Sequence, residues 1–300
     1  MDPSTVGKGK LRFDDFKQLI DRNPQIRRVE LGGQGEVFLN ENLSKMLRYA
    51  HEQNVIPSIG AGTNLNDVSD EALESLVLCH TARVRCSVDG VTQETYQKYR
   101  VGGDLNKVIR NIHKINVLKD RYRSSTPDLI LQFVLFGHNR HELEKAALLA
   151  KMLKMDFFPR LNYSTDAFTL SVQQRESIRQ FLGYADRKDY LEKRGRNYLR
   201  EACYHLWQDP QIGWDGELLG CGCNQYGTFS GNVFKEGLVP CINNEKIQYA
   251  RQMLMGRIPP RKDIPCVRCD SYRSMVQFGN WITETEISKA MEGRSLSGVE

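Results

Sequence analysis

Four cysteines limit the folds open to this chain more than any other feature. Cys203, Cys221, Cys266 and Cys269 follow the spacing C-x17-C-x44-C-x2-C. Thiolates from separate segments can converge tetrahedrally on a soft metal, either one zinc ion or an iron–sulfur cluster. Gathering them folds about 67 residues back on themselves, which predicts a small metal-organised domain over residues 203–276. Ahead of Cys221, Trp214-Asp215-Gly216-Glu217 reads as a hairpin with Asp-Gly as a two-residue turn. Cys223 and Cys241 are spare, and either is a substitute ligand. Cys223 lies two residues beyond Cys221, so both side chains leave an extended segment on the same face.

A metal is preferred over disulfides because of the rest of the chain. Eight cysteines in 300 residues do not make a secreted disulfide framework. Met1-Asp2-Pro3-Ser4-Thr5 is no signal peptide, and no apolar run reaches membrane-spanning length, so a cytoplasmic location without membrane contact is expected. The net charge of +5 is spread among acids, as on solvated helix faces. Neither a zinc finger with a recognition helix nor an aromatic–basic RNA-binding pattern is present, so no nucleic-acid partner is expected.

The first half alternates strand and helix. Strands are predicted at Arg28–Leu31, Val55–Ile59, Arg83–Val88, Leu129–Phe136 and Phe157–Leu161. Helices are predicted at Phe13–Arg22, around Leu43–Ala50, after Ser69, after Asp104, and from Leu143, with Ser69 and Asp104 as caps. Repeated strand–helix units imply a parallel sheet, and both an open sheet and part of a barrel fit five strands. The domains expected are 1–165, a helical connector at 166–202, the cysteine domain at 203–276 and a tail at 277–300. Disorder is expected in the last ten residues.

Several segments in this order resemble radical S-adenosylmethionine (radical SAM) enzymes with a SPASM or shortened twitch domain. Arg28-Val29-Glu30-Leu31-Gly32-Gly33-Gln34-Gly35-Glu36 looks like the second barrel strand and its Gly-Glu motif. Arg85-Cys86-Ser87-Val88-Asp89-Gly90, with Tyr99-Arg100, looks like the fourth strand and its helix. Gln132-Phe133-Val134 and Gly137-His138-Asn139 look like the fifth strand and its loop. Gly220-Cys221, Gly231-Asn232-Val233 and Cys266-Val267-Arg268-Cys269 look like the auxiliary-cluster domain. The fold implied is α/β, a partial (β/α)6 barrel missing its first strand, with a small C-terminal twitch/SPASM-like iron–sulfur domain. The family's C-x3-C-x2-C triad does not occur in the chain. The expectation is therefore a fragment of a longer gene product, unable to perform the family reaction alone.

The resemblance implies cleavage of SAM to a 5′-deoxyadenosyl radical and hydrogen abstraction from a sugar, cyclitol or peptide. The implied cofactors are SAM and an auxiliary four-iron–four-sulfur cluster on Cys203, Cys221, Cys266 and Cys269. A second such cluster belongs to the intact family member. The implied electron donor is a flavodoxin or ferredoxin. Gly33, Gln34, Gly35, Glu36, Ser87 and Arg100 are the implied SAM-binding residues. Read on their own, the glycine segment is a strand-to-helix turn and Arg100 a surface helix residue. Arg160, with Asn162 and Tyr163 just beyond, is the candidate for binding or deprotonating a substrate hydroxyl. It also reads as a salt-bridged barrel arginine, and Asn139 as a helix cap. The alternative function is a noncatalytic, zinc-stabilised interaction protein.

Overall fold

Between Arg28 and Leu161 the alternating segments form one parallel sheet. The computed structural model describes residues 7–33, 35–162 and 171–292. The strands are β1 (Arg28–Glu30), β2 (Ile56–Thr63), β3 (Arg83–Ser87), β4 (Asp128–Leu135) and β5 (Asp156–Leu161). They lie side by side in chain order, β1-β2-β3-β4-β5, each pair parallel. A doubly wound sheet reverses its strand order at a switch point. This order never reverses, so the sheet is singly wound.

Periodicity explains which face is covered. Val84 and Cys86 of β3 alternate with Arg83, Arg85 and Ser87. Leu129, Leu131, Phe133 and Leu135 of β4 share the face of Val84 and Cys86, and all are at least 97% buried. Helices Leu43–Glu52 and Leu143–Met152 pack on the sheet, as does Val172–Leu182, whose Phe181 meets Phe157 edge-on at 5.9 Å. The opposite face carries Arg85, Ser87, Gln132, Phe158 and Arg160.

Three helix-to-strand links repeat one device. Asn54, His80 and Lys154 adopt φ of 58°, 49° and 55°. The next amide then reaches back five residues, as in Val55 N–H to Ala50 O (2.8 Å), Thr81 N–H to Leu76 O (3.0 Å) and Met155 N–H to Ala150 O (2.9 Å). This is a Schellman closure without glycine, and it aims each strand in the same direction.

Chain contacts divide the molecule into Pro24–Asp186 and a second unit of Met1–Asn23 with Arg187–Glu300. The division differs from boundaries at 165 and 202. Helix Phe13–Arg22 falls with the cysteines, not with the sheet, because Phe16 and Ile20 are buried and Leu19 packs on the second unit's core. The connector also divides, Val172–Leu182 with the sheet and Arg187–Arg194 with the cysteines. The second unit's core includes Leu206, Phe229, Ile247, Met253, Leu254 and Met275. Among the described residues no helix is long and apolar enough to cross a membrane. The last eight residues of the tail, within the stretch expected to be disordered, lie outside the described residues.

Candidate functional site: the strand ends and a cysteine-lined pocket

The C-terminal ends of the strands carry a dense hydrogen-bond network. After β1 the chain passes Gly32 and Gly33 at φ of 119° and 109°, a region open only to glycine, and Gly35 follows at φ 82°. Gln34 lies outside the described residues. Glu36 caps the short 3₁₀ turn Val37–Leu39. Its Oε1 accepts from Thr63 Oγ1 (2.6 Å) and Phe38 N–H (3.2 Å), and its Oε2 from Asn64 N–H (2.7 Å). The carboxylate thus ties the β1 loop to the end of β2.

Asp89, just past β3, is fully buried. Its Oδ2 accepts from Arg100 Nε (2.7 Å) and Nη2 (2.5 Å), and its Oδ1 from Val134 N–H (2.7 Å). Burial pushes this carboxyl up, while Arg100 and the Val134 amide pull it back down. Asn139 Nδ2 donates to Asp89 O (3.0 Å) and Val134 O (2.8 Å), and its Oδ1 accepts from Phe136 N–H (2.8 Å). Asn139 is therefore not a side-chain helix cap. The bonds a cap would give to helix amides go instead to the β3 and β4 loops. Glu142, 2% exposed, accepts from Val91 N–H (2.8 Å) and Thr92 Oγ1 (2.9 Å). Ser87 is buried and faces Gln132, whose Nε2 lies 3.5 Å from its Oγ. Burial raises the Cys86 thiol to about 12, with Glu36 adding to it, so it stays neutral.

On the polar sheet face, Arg160 of β5 lies 5.7 Å from the Phe158 ring centre, and Arg85 of β3 lies 4.7 Å from it. Asn162 donates its amide to Leu135 O at 3.0 Å. Tyr163 lies outside the described residues.

The second feature belongs to the unit of helix Phe13–Arg22 and Arg187 onward. Cys203 lies in the 3₁₀ turn Arg200–Tyr204, and Cys221 follows β7 (Leu218–Gly220), which pairs antiparallel with β6 (Gln211–Ile212). Cys266 lies in the 3₁₀ turn Pro265–Arg268, and Cys269 precedes helix Asp270–Phe278. The loop before Cys221 is not a two-residue Asp-Gly turn. Gly213 N–H bonds Glu217 O (2.8 Å), and Gly216, at φ 89°, donates to Gly213 O (3.0 Å). That is a three-residue loop closed by a glycine bulge, which absorbs the register shift in the short ladder.

All four predicted cysteines line one pocket. Cys223 lines it too, whereas Cys241 packs elsewhere in the core, against Gly231. Leu206, Phe229, Leu254 and Tyr272 complete an apolar wall. No disulfide joins the four. Burial, reinforced by the neighbouring thiols, pushes Cys203 well up and Cys221 to about 12, and it raises Cys266 as well. The backbone amides of Cys223 and Asn224 oppose that rise at Cys221. Asn224 is held by Leu219 O (2.6 Å) and Gly227 O (2.7 Å). Yet among the described residues no group of three or more His, Cys, Asp or Glu is placed to hold a single metal ion. Cys223 is the residue sequence reasoning set aside, and its same-face spacing from Cys221 was the available signal.

Arg200, 2% exposed, anchors the turn that bears Cys203. Its guanidinium donates to Asn280 O, Trp281 O, Tyr204 Oη and both oxygens of Glu286, at 2.8–3.1 Å. Every donor of the group is thereby satisfied.

The sequence matches no protein-family model and no curated protein. The fold does have solved likenesses. SuiB of Streptococcus suis bound to S-adenosylmethionine aligns at a TM-score of 0.60 with 14% identity, over 87% of this chain and 64% of that one. SuiB bound to its precursor peptide SuiA aligns at 0.59, again with 14% identity and 87% of this chain, over 63% of that chain. The chain thus spans about 64% of the length of the first of these structures. What the two share is the fold.

Proposed function

We propose that this chain is a radical-SAM-type iron–sulfur protein. The ends of its strands bind SAM, its cysteine pocket holds an auxiliary four-iron–four-sulfur cluster, and its substrate is a peptide. The observation that carries this reading is the pocket, in which five cysteines from three separate segments share one apolar lining. A zinc ion would draw its thiolates to about 3.8 Å apart, given Zn–S bonds near 2.3 Å. The sulfurs are not gathered for a single ion, whereas a cluster's ligands stand farther apart. Cationic iron would stabilise as thiolates the sulfurs that burial otherwise disfavours in charged form, and the backbone amides beside Cys221 suit a thiolate. Cys203, Cys221, Cys266 and Cys269 would hold the cluster, which supplies one-electron chemistry when bound. The zinc-stabilised interaction protein is the weaker reading for the same geometric reason.

At the strand ends, Gly33 and Gly35 let backbone approach the methionyl ammonium closely. Glu36 spends its lone pairs on Thr63, Phe38 and Asn64, so it shapes the loop while the glycine carbonyls accept from the ammonium. Arg100 is fixed by Asp89 and offers its remaining N–H groups to the methionyl carboxylate. Ser87 lies beside Gly62 at the end of β3, where a ribose hydroxyl can reach it. Arg160 would bind the substrate near the hydrogen to be removed. Reductive cleavage of SAM is not assigned to these residues, because the three thiolates it needs are absent from the 300. The SuiB–SuiA complex supports a peptide as substrate, and a flavodoxin or ferredoxin would supply the electrons.

Anaerobic reconstitution with iron and sulfide tests the reading. The expected product is brown, absorbs broadly near roughly 400 nm and holds about four irons per chain. Colourless protein with one zinc per chain would establish the rival instead.

A further inference from the structure

The cysteine pocket has no lysine, arginine or carboxylate among its lining residues. Four thiolates outweigh the positive charge of a four-iron–four-sulfur core, so the cluster proposed for it is an anion, and reduction adds one more negative charge. An anion in an apolar site needs cations close to its walls. The lysines and arginines on the segments that supply the lining are Arg200, Lys246, Arg251, Arg268 and Arg273. Three of them are paired, Arg200 with Glu286 (2.8 Å), Lys246 with Asp263 (4.0 Å) and Arg273 with Asp270 (3.4 Å). Among the described residues Arg251 and Arg268 make no ion pair. Both donate instead to the backbone of the pocket wall. Arg251 Nε and Nη2 bond Leu206 O at 3.0 and 2.6 Å, and its Nη1 bonds Asn243 Oδ1 at 3.3 Å. Arg268 Nη2 bonds Tyr226 O. Leu206 and Tyr226 line the pocket, as does Leu254, one turn beyond Arg251 in helix Glu245–Leu254. Arg268 stands between Cys266 and Cys269 in the chain.

Arg251 is half-buried, and burial with nothing opposing it pulls its guanidinium below the ordinary value, although the group stays charged. A half-buried cation without a carboxylate carries a desolvation cost that a nearby anion offsets. We infer that Arg251, with Arg268 in support, supplies the positive charge that balances the cluster and sets its reduction potential. Coulomb attraction is stronger for the more negative, reduced form, so a fixed cation raises that potential. Salt screens the half-buried Arg251 weakly and the exposed Arg268 strongly. Both are positioning residues rather than ligands. The inference rests on the cluster reading above and deepens it.

The test is an anaerobic redox titration of the reconstituted full chain, followed by electron paramagnetic resonance of the reduced cluster. Arg251→Gln should lower the midpoint potential by about 59 mV, the one-electron equivalent of roughly a tenfold change in the ratio of oxidised to reduced cluster. Arg251→Lys, which keeps the charge, should leave the potential near its unaltered value. Asn243→Asp gives Arg251 a carboxylate in place of its present amide acceptor, and should lower the potential with the guanidinium still present. Arg268→Gln should lower it less, and that difference should shrink as salt rises. An unmoved potential in both Arg251→Gln and Asn243→Asp overturns the inference. So do equal shifts in Arg251→Lys and Arg251→Gln, which would assign the effect to the hydrogen bonds on Leu206 O. Where Arg251→Gln does not fold, as circular dichroism would show, Asn243→Asp at its exposed position decides. A cluster whose potential does not move refutes this inference alone. An unaltered chain that takes up no reducible iron refutes the cluster reading, and this inference with it.

Discussion

The strand ends and the cysteine pocket solve opposite problems. At the strand ends every buried charge already has a protein partner. Asp89 holds Arg100, Glu36 holds the end of β2, and Glu142 holds Val91 and Thr92. In the pocket, five cysteines share one lining, and burial raises the thiols of Cys203, Cys221 and Cys266. The first region is organised by its own hydrogen bonds, whereas the second, on the function proposed above, would be completed by its cluster. On that reading a ligand would contribute to recognition at the strand ends and to folding at the pocket.

All three tryptophans, Trp207, Trp214 and Trp281, belong to the cysteine unit, so their fluorescence follows that unit alone. Circular dichroism follows both, which lets the comparison be broken one side at a time. The largest effect expected is from Cys203→Ala with Cys221→Ala. Bound iron should fall to near zero and the tryptophan-monitored transition should drop, with the sheet's transition unmoved. Iron retained at full occupancy would break the contrast between the regions.

Asp89→Ala comes next. It strands a largely buried guanidinium and the Val134 amide, and should cost about 3–5 kcal/mol in denaturant unfolding followed by circular dichroism. The tryptophan transition should stay in place.

Glu286 provides a pH test on the other side. Burial raises its carboxyl, but Arg200, the Thr283 amide and the Thr283 hydroxyl overcome this and hold it at about 2, below the ordinary 4.5. A depressed folded value contributes stability that is full above 4.5 and lost as pH falls toward 2. Acid titration of tryptophan fluorescence should show about 2–3 kcal/mol lost over that interval. Glu286→Gln should flatten the slope. The smallest effect expected is from Gly33→Ala, about 1–2 kcal/mol from its φ of 109°, along with weaker SAM binding by calorimetry. Unchanged stability there would show that the loop relaxes.

Most of the sheet was legible in the chain. Short strand-like segments, several running into glycine turns and one nearly all apolar, located all five strands within a few residues. β2 runs on to Thr63, whose pairing with Cys86 resumes the ladder after an irregularity over Gly60–Gly62. Ser69 and Asp104 cap as expected, accepting from Ala72 N–H and Lys107 N–H. Phe13–Arg22 was legible as a helix but not as a partner of the cysteine unit. Its apolar stripe at Phe16, Leu19 and Ile20 fits any apolar surface, and only packing chose one. Asn139 read as a local helix cap, yet one of its acceptors, Asp89 O, lies 50 residues away along the chain.

The sequence alone determined the repeating strand–helix scaffold and the set of sulfurs available to a metal, because periodicity and residue chemistry are local properties. Tertiary structure decided which sulfurs share a cavity, bringing Cys223 in and leaving Cys241 out. It also decided which buried charges are taken by the protein and which N–H groups remain for a ligand. Those outcomes depend on distances between segments remote in the chain, and they are fixed only when burial forces each polar group to find a partner.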